Sequence, residues 1–223
     1  MSKNNTSKLK KLFLYFAIIV IFIIVWVGVQ KLISNYFPTI DFSLYEDRQN
    51  SNAFKKNILE SFLSLVIIMP ILEELVFRSL IKPQKDDIPL FISGLSSFVM
   101  LFVLKPYLDW YYIYPIIIIL FAIIFFILKN YGYKSLTLYR LKESLEKKNT
   151  TTLVLVITSL LFGLSHALNY GNISAINITI ILLTVPRIFS GFIYGIFKKK
   201  HGIHWSIGLH SFRNFLPFLI SLI

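Results

Sequence analysis

The sequence predicts an all-α, polytopic transmembrane helical bundle of about seven spans with its N-terminus in the cytoplasm, and three observations carry that reading. Of 223 residues, 56% are hydrophobic and only 15% are charged, far from the balance of a water-soluble domain. The apolar residues fall in runs long enough to cross a hydrocarbon core of about 30 Å at 1.5 Å per residue. The net charge of +12 comes from Lys and Arg gathered at the ends of those runs. Such clustering marks topology and argues against nucleic acid as a partner. There is no Cys, so disulfides, thiol nucleophiles and Cys-ligated metals are excluded, and any metal would have to use His and carboxylate.

Residues 1–11 are polar and basic, and residues 12–30 contain no charge. That run is longer than a signal-peptide core and no small-x-small cleavage site follows it, so it reads as an uncleaved first span. Residues 34–57, with Pro38, Asp41, Glu46, Asp47 and Arg48, read as an outer loop. Residues 1–57 are therefore expected to form an N-terminal helix and loop ahead of a core at 58–223. The second span, about 58–81, contains Pro70, which removes one backbone donor and bends a helix. A charged turn at 82–87 leads to a third span at 89–104, and a turn at 105–109 leads to a fourth at 110–128. Trp110, Tyr111, Tyr112 and Tyr114 at its start form an interfacial belt. The longest polar segment, 129–150, holds the pattern of an amphipathic surface helix from Leu141 onward. Residues 149–186 contain no Asp, Glu, Lys or Arg, and a polar cluster at 169–174 divides them into a fifth and a sixth span. Lys198, Lys199 and Lys200 stop the sixth, and 203–223 forms the seventh.

With alternating spans, the inner segments hold 15 Lys or Arg and the outer segments 4. By the positive-inside rule this places the N-terminus inside and the C-terminus outside.

The second span carries a costly feature: Glu73, Glu74 and Arg78 lie within six positions of an apolar stretch, and each ionisable group in hydrocarbon costs about 2.5–3.5 kcal/mol on insertion scales. Glu74 and Arg78, four apart with the acid first, share a helix face and can neutralise each other. Glu73 projects about 100° round the helix, so it is free to face a wet cavity and act as a general base. Phe162 and His166 share a face in the fifth span, and His210 and Asn214 share one in the seventh. Taken singly, each His suits an interhelical hydrogen bond. Taken together, Glu and His can orient and deprotonate a water, while a second His and an Asn amide can donate to the oxyanion formed at a carbonyl.

Glu73-Glu74-x-x-x-Arg78, Phe162-x-x-x-His166 and His210-x-x-x-Asn214, in this order on separate apolar spans, resemble the motifs of the CPBP intramembrane proteases, also called the Abi or CAAX protease and bacteriocin-processing family. The resemblance covers roughly 58–223. It implies Glu73 and His166 as activators of the attacking water, His210 and Asn214 as oxyanion donors, and Glu74 with Arg78 as organisers of the first motif. It implies a peptide or membrane-protein substrate in a lipid bilayer, here the cytoplasmic membrane of a bacterium. Metal dependence stays open: the chain has no HExxH, yet Glu73, His166 and His210 match a catalytic zinc ligand set if they converge. Arg187 and Arg213 fall outside the motifs, and they can bind a substrate carboxylate, pair with the acids or reach for the interface. Two further readings compete: a non-catalytic scaffold or immunity protein of the same fold, and a transporter, against which no internal repeat is visible.

One expectation concerns depth. Along straight helices at 1.5 Å per residue, Glu73 lies about 12–14 Å and His210 about 15 Å from their inner ends, but His166 about 20–27 Å. Convergence therefore requires tilt, a bend near Pro70, or a late entry of the fifth helix.

Overall fold

The computed structural model describes residues 3–43, 57–131, 136–170 and 177–222. Glu46, Asp47 and Arg48 of the expected loop, and residues 171–174 of the polar divider, lie outside the described residues. The described chain is all helical in its regular structure: α1 (Lys3–Tyr36), α2 (Ile58–Phe62), a π-helical segment (Leu63–Ile68), α3 (Met69–Arg78), α4 (Asp87–Leu104), α5 (Trp110–Tyr131), α6 (Leu136–Glu146), α7 (Lys148–Ser165), a 3₁₀ turn (His166–Asn169), α8 (Ile178–His201) and α9 (Ile203–Ile220). Every one of the seven expected spans is occupied by helix. Among the described residues, five helices are long and apolar enough to cross a membrane by length and composition alone: Thr6–Tyr36, Asp87–Leu104, Trp110–Asn130, Lys148–Asn169 and Ile178–His201. The two stretches outside that set are the segmented Ile58–Arg78 and α9. These carry the acid pair with Arg78, and His210 with Arg213 and Asn214.

The burial pattern is the reverse of a soluble domain. Large apolar side chains such as Ile21, Ile24, Phe102, Ile118 and Phe126 are more than half exposed, while Ser93, Ser97, Thr151, Ser159, Thr184, Ser190 and Ser206 are buried. Lipid is as apolar as leucine, so outward apolar faces cost nothing, and close helix contacts favour small residues. Many of these hydroxyls bond back one turn, Ser93 to the Pro89 carbonyl (2.8 Å), Ser159 to Leu155 (2.7 Å) and Ser190 to Pro186 (2.7 Å), which satisfies them within their own helix.

α7 and α8 make the most intimate contact, α3 and α9 pack against them, and α4 packs on α3 and in turn carries α5. A Cβ on Gly163 of α7 would stand 2.7 Å from the backbone nitrogen of Ile188, and one on Gly195 of α8 would stand 2.3 Å from Leu155 Cδ1. At Gly163, where the neighbour is backbone, only glycine permits that approach; at Gly195 the Leu155 side chain would have to move. α1 lies against α8 and α9, burying Leu12 and Ile19 in a cluster with Phe162, Ile193, Tyr194, Phe197 and Leu209. Phe22 stacks on Phe189 at 3.8 Å. α6 is the expected short surface helix, with Tyr139 and Leu141 exposed and Lys142 paired to Glu146 at 3.6 Å.

Pro70 does more than bend its helix. The Met69 N–H is drawn back to the Ser64 carbonyl, an i→i−5 bond that gives the preceding turn its π register. The Leu65 carbonyl then loses its α partner to Ser64, and the next donor in π register is the nitrogen of Pro70, which has no hydrogen. That orphan acceptor is met from another helix, by the side-chain amide of Asn214 at 3.0 Å.

The depth difference between the motifs narrows to about 5 Å once α7 is measured from the right level. Gly195 faces both Leu155 and Ile81, so Leu155, not Lys148, is level with the end of the motif segment. The first two turns of α7 overhang that level. From it, His166 lies about 17 Å along α7 and Glu73 about 12 Å back along α3 at 1.5 Å per residue.

Candidate active site

α3, α7, α8 and α9 deliver the site. Glu74 is 0% exposed and fully occupied. Its Oε1 accepts from His210 Nδ1 at 3.0 Å and faces Arg78 Nε at 3.8 Å, while its Oε2 accepts from Ser206 Oγ. Ser206 also contacts the Tyr194 carbonyl at 3.0 Å, tying α9 to α8. Because a carboxylate only accepts, Nδ1 of His210 carries a proton, which fixes the ring's orientation.

Glu73 is held differently. Its side chain keeps 12% exposure, and Oε2 stands 3.6 Å from His210 Nε2, too far for a direct hydrogen bond but close enough for charge to act. His210 therefore bridges the two acids, bonded to one and facing the other. The ring is clamped by stacking on Tyr194 (4.7 Å, 20°) and by the edge of Phe162 (5.6 Å, 89°).

Phe162 also touches His166 at 4.8 Å, so one aromatic ring contacts both motif histidines. His166 Nδ1 lies 2.8 Å from the Phe162 carbonyl. A carbonyl accepts only, so Nδ1 donates there and Nε2 of the neutral ring keeps a free lone pair. Among the described residues no hydrogen bond or ion pair joins Glu73 to His166. Asn214 uses one amide hydrogen on Leu65 and accepts from Arg213 Nη1 at 3.1 Å, leaving one hydrogen unspent. The charge of Arg187 reaches both Glu73 and His166, and Arg187 and Arg213 act on each other. Neither arginine forms an ion pair with Glu73 or Glu74.

Arg78 is 0% exposed. Its guanidinium lies over Phe162 at 4.2 Å and near Tyr194 at 5.9 Å, an aromatic box that holds a cation through ring quadrupoles. Its three nitrogens and the Tyr194 hydroxyl are buried without hydrogen-bond partners among the described residues. A Cβ on Gly191 would stand 2.9 Å from Arg78 Nη2 and 2.9 Å from Phe162 Cδ1, so this glycine makes the box.

A zinc ion would need Glu73, His166 and His210 at common reach. Among the described residues no group of three His, Asp or Glu is spaced to hold a metal. The donor set does not fit zinc as arranged, so no chemical step is derived through one.

Tyr194, Ser206, Gly191 and Lys198 were not singled out by motif. Gly191-x-x-x-Gly195 is a small-xxx-small signal for close helix packing, and it alone was readable in advance.

Fold and site together define a class: a multi-pass helical membrane protein with an acid–histidine cluster buried between its helices. The family described as "Type II CAAX prenyl endopeptidase Rce1-like" matches residues 55–216. No curated protein and no solved structure matches the chain significantly. The chain belongs to the Rce1-like family, which lies within the CPBP or Abi group of CAAX-type intramembrane proteases. The match begins just before α2 and ends two residues past Asn214, so it takes in all three motifs.

Proposed function

We propose that this chain is an intramembrane endopeptidase that hydrolyses a peptide bond of a membrane-associated peptide or protein, using a water activated by Glu73 and His166. The observation that carries the reading is the unequal state of the two acids. Glu74 has every oxygen engaged, whereas Glu73 keeps accessible acceptor capacity beside a histidine. A base must have room to take a proton, and only Glu73 has it.

In the proposed reaction the substrate carbonyl enters beside His210. Glu73 takes one proton of the water while His166 Nε2 accepts a hydrogen bond from it and orients it. The water oxygen attacks the carbonyl carbon, and the free amide hydrogen of Asn214, together with His210 Nε2 when protonated, stabilises the oxyanion. Glu73 then passes its proton to the departing amine as the C–N bond breaks. Arg187 and Arg213 supply positive potential for an anionic group of the substrate. The charge asymmetry along the chain supports an orientation with the N-terminus inside, and we place the protein in a bacterial cytoplasmic membrane. Bacteriocin maturation, self-immunity and CAAX-like processing are the settings this chemistry serves.

The test is the purified protein in proteoliposomes with membrane-anchored peptides, read by product mass in ¹⁸O-water. One ¹⁸O in the new carboxylate is expected. Absence of cleavage across prenylated, acylated and unmodified peptides, with any bacteriocin immunity the wild type confers on a host retained in Glu73→Ala, His166→Ala and His210→Ala, would favour a scaffold. Full activity in chelator without stoichiometric metal is expected, and loss of activity restored by zinc would overturn the metal-free step.

A further inference from the structure

The turn that follows the motif helix closes round a cation that the chain itself supplies. Lys198, in the last turn of α8, is 2% exposed, while its neighbours Lys199 and Lys200 are exposed. Its Nζ lies 2.8 Å from Asp87 Oδ2 and donates to the carbonyls of Ser79 (3.2 Å), Ile81 and Lys82 (3.1 Å). Asp87 is itself 3% exposed, and its Oδ2 also accepts from the Gln84 backbone at 2.7 Å. Lys82 keeps a left-handed backbone, φ 48, while its carbonyl serves the ammonium, a conformation that costs a non-glycine residue energy. One carboxylate and three carbonyls, with no nitrogen or sulfur donor, make a shell suited to a hard cation.

The shell sits where it can set the acids. Ser79, Ile81 and Lys82 come directly after Arg78, so Lys198 holds the C-terminal end of α3 to α8. Four residues after Lys198 the chain reverses at Gly202, φ 95. Four and eight residues beyond that, Ser206 and His210 bond Glu74. The α8–Gly202–α9 hairpin thus grips the motif segment at two points, the carbonyls just past the end of α3 and the buried acid Glu74, and Glu73 directly precedes the second.

We propose that the 79–87 turn is a monovalent-cation site filled by the Lys198 ammonium, and that Lys198 is a positioning residue for the Glu73/Glu74 pair. The second half rests on the proteolytic reading, and the first does not.

Full-length Lys198→Ala, Lys198→Met and Asp87→Asn, purified in choline-based buffer, would be measured for thermal midpoint, kcat and KM with added ammonium, methylammonium or tetramethylammonium. A displaced catalytic group costs about 10²-fold. Lys198→Ala is therefore expected to lose about that in kcat with KM little changed, and to recover at least about tenfold with ammonium or methylammonium. Tetramethylammonium, too large for the shell, is expected to do nothing, and Lys198→Met, whose side chain fills the space, is expected not to respond. Recovery with tetramethylammonium, or none with the small cations, would overturn the cation site. A kcat unchanged in Lys198→Ala would overturn the positioning role. If the wild-type protein cleaves nothing, the thermal midpoint alone decides the cation site, and the failure belongs to the functional reading. Should Lys198→Ala not fold, Asp87→Asn keeps the test readable: a lower midpoint insensitive to added cation is expected, and an unchanged midpoint would overturn the proposal.

Discussion

Among the described residues two buried charged clusters, round Lys198 and round Arg78, are satisfied to different degrees. Round Lys198 the ammonium has three carbonyls and a carboxylate, and Asp87 has in addition a backbone N–H. Round Arg78 the guanidinium has one carboxylate at 3.8 Å and aromatic faces, with no hydrogen bond from any of its nitrogens among the described residues. Beside it, Glu73 faces His210 at 3.6 Å and, among the described residues, makes no hydrogen bond. Buried charges left short of partners cost stability, so a chain that completes one cluster and leaves the other incomplete keeps the second for chemistry. The complete cluster fixes where the incomplete one stands.

The contrast can be broken from either side. The largest effect is expected for Glu74→Ala, which strips His210, Ser206 and Arg78 of their shared acceptor. Removing one partner of a buried pair costs about 3–5 kcal/mol, read as a fall in unfolding midpoint with loss of activity. His166→Ala is next, with about 10²–10⁴-fold lost in kcat and little change in midpoint, since His166 is bonded only within its own helix turn. A large stability loss there would show a structural histidine. Asn214→Ala is expected to do both, costing about 1–3 kcal/mol by orphaning the Leu65 carbonyl and about 10²–10³ in kcat by removing an oxyanion donor. Gly191→Ala is expected to cost about 1–3 kcal/mol by overpacking, since the new methyl meets Arg78 and Phe162 at 2.9 Å. The smallest effect is expected for Lys199→Ala, within about 0.5 kcal/mol as a surface change, next to the far costlier Lys198.

Much of this was legible in residue order. Helix occupies each expected span because apolar runs of that length have few alternatives in a bilayer. The motif residues were found because ionisable groups in such runs are rare and costly. Lys198 was hidden because it sits in a basic run that ends a span, where lysines are expected on topological grounds; its partners lie more than a hundred residues away. Tyr194 and Ser206 carry no charge to mark them. The 82–87 stretch reads only as a charged turn, and the burial of Asp87 has no local sign because its partner, Lys198, comes from α8. The depth conflict came from counting His166 from the start of α7, when two turns of that helix hang below the level of Ile81 and Leu155.

In the proposed reaction Glu73, not Glu74, takes the proton. Glu73→Gln keeps the shape and removes the base. The measurement is its unfolding midpoint alongside cleavage of a membrane-anchored peptide that the wild type cuts. A midpoint within about 1 kcal/mol of wild type, as expected when no fully engaged partner is lost, together with kcat lower by about 10²–10⁴, is the predicted result. Cleavage at the wild-type rate would contradict the account.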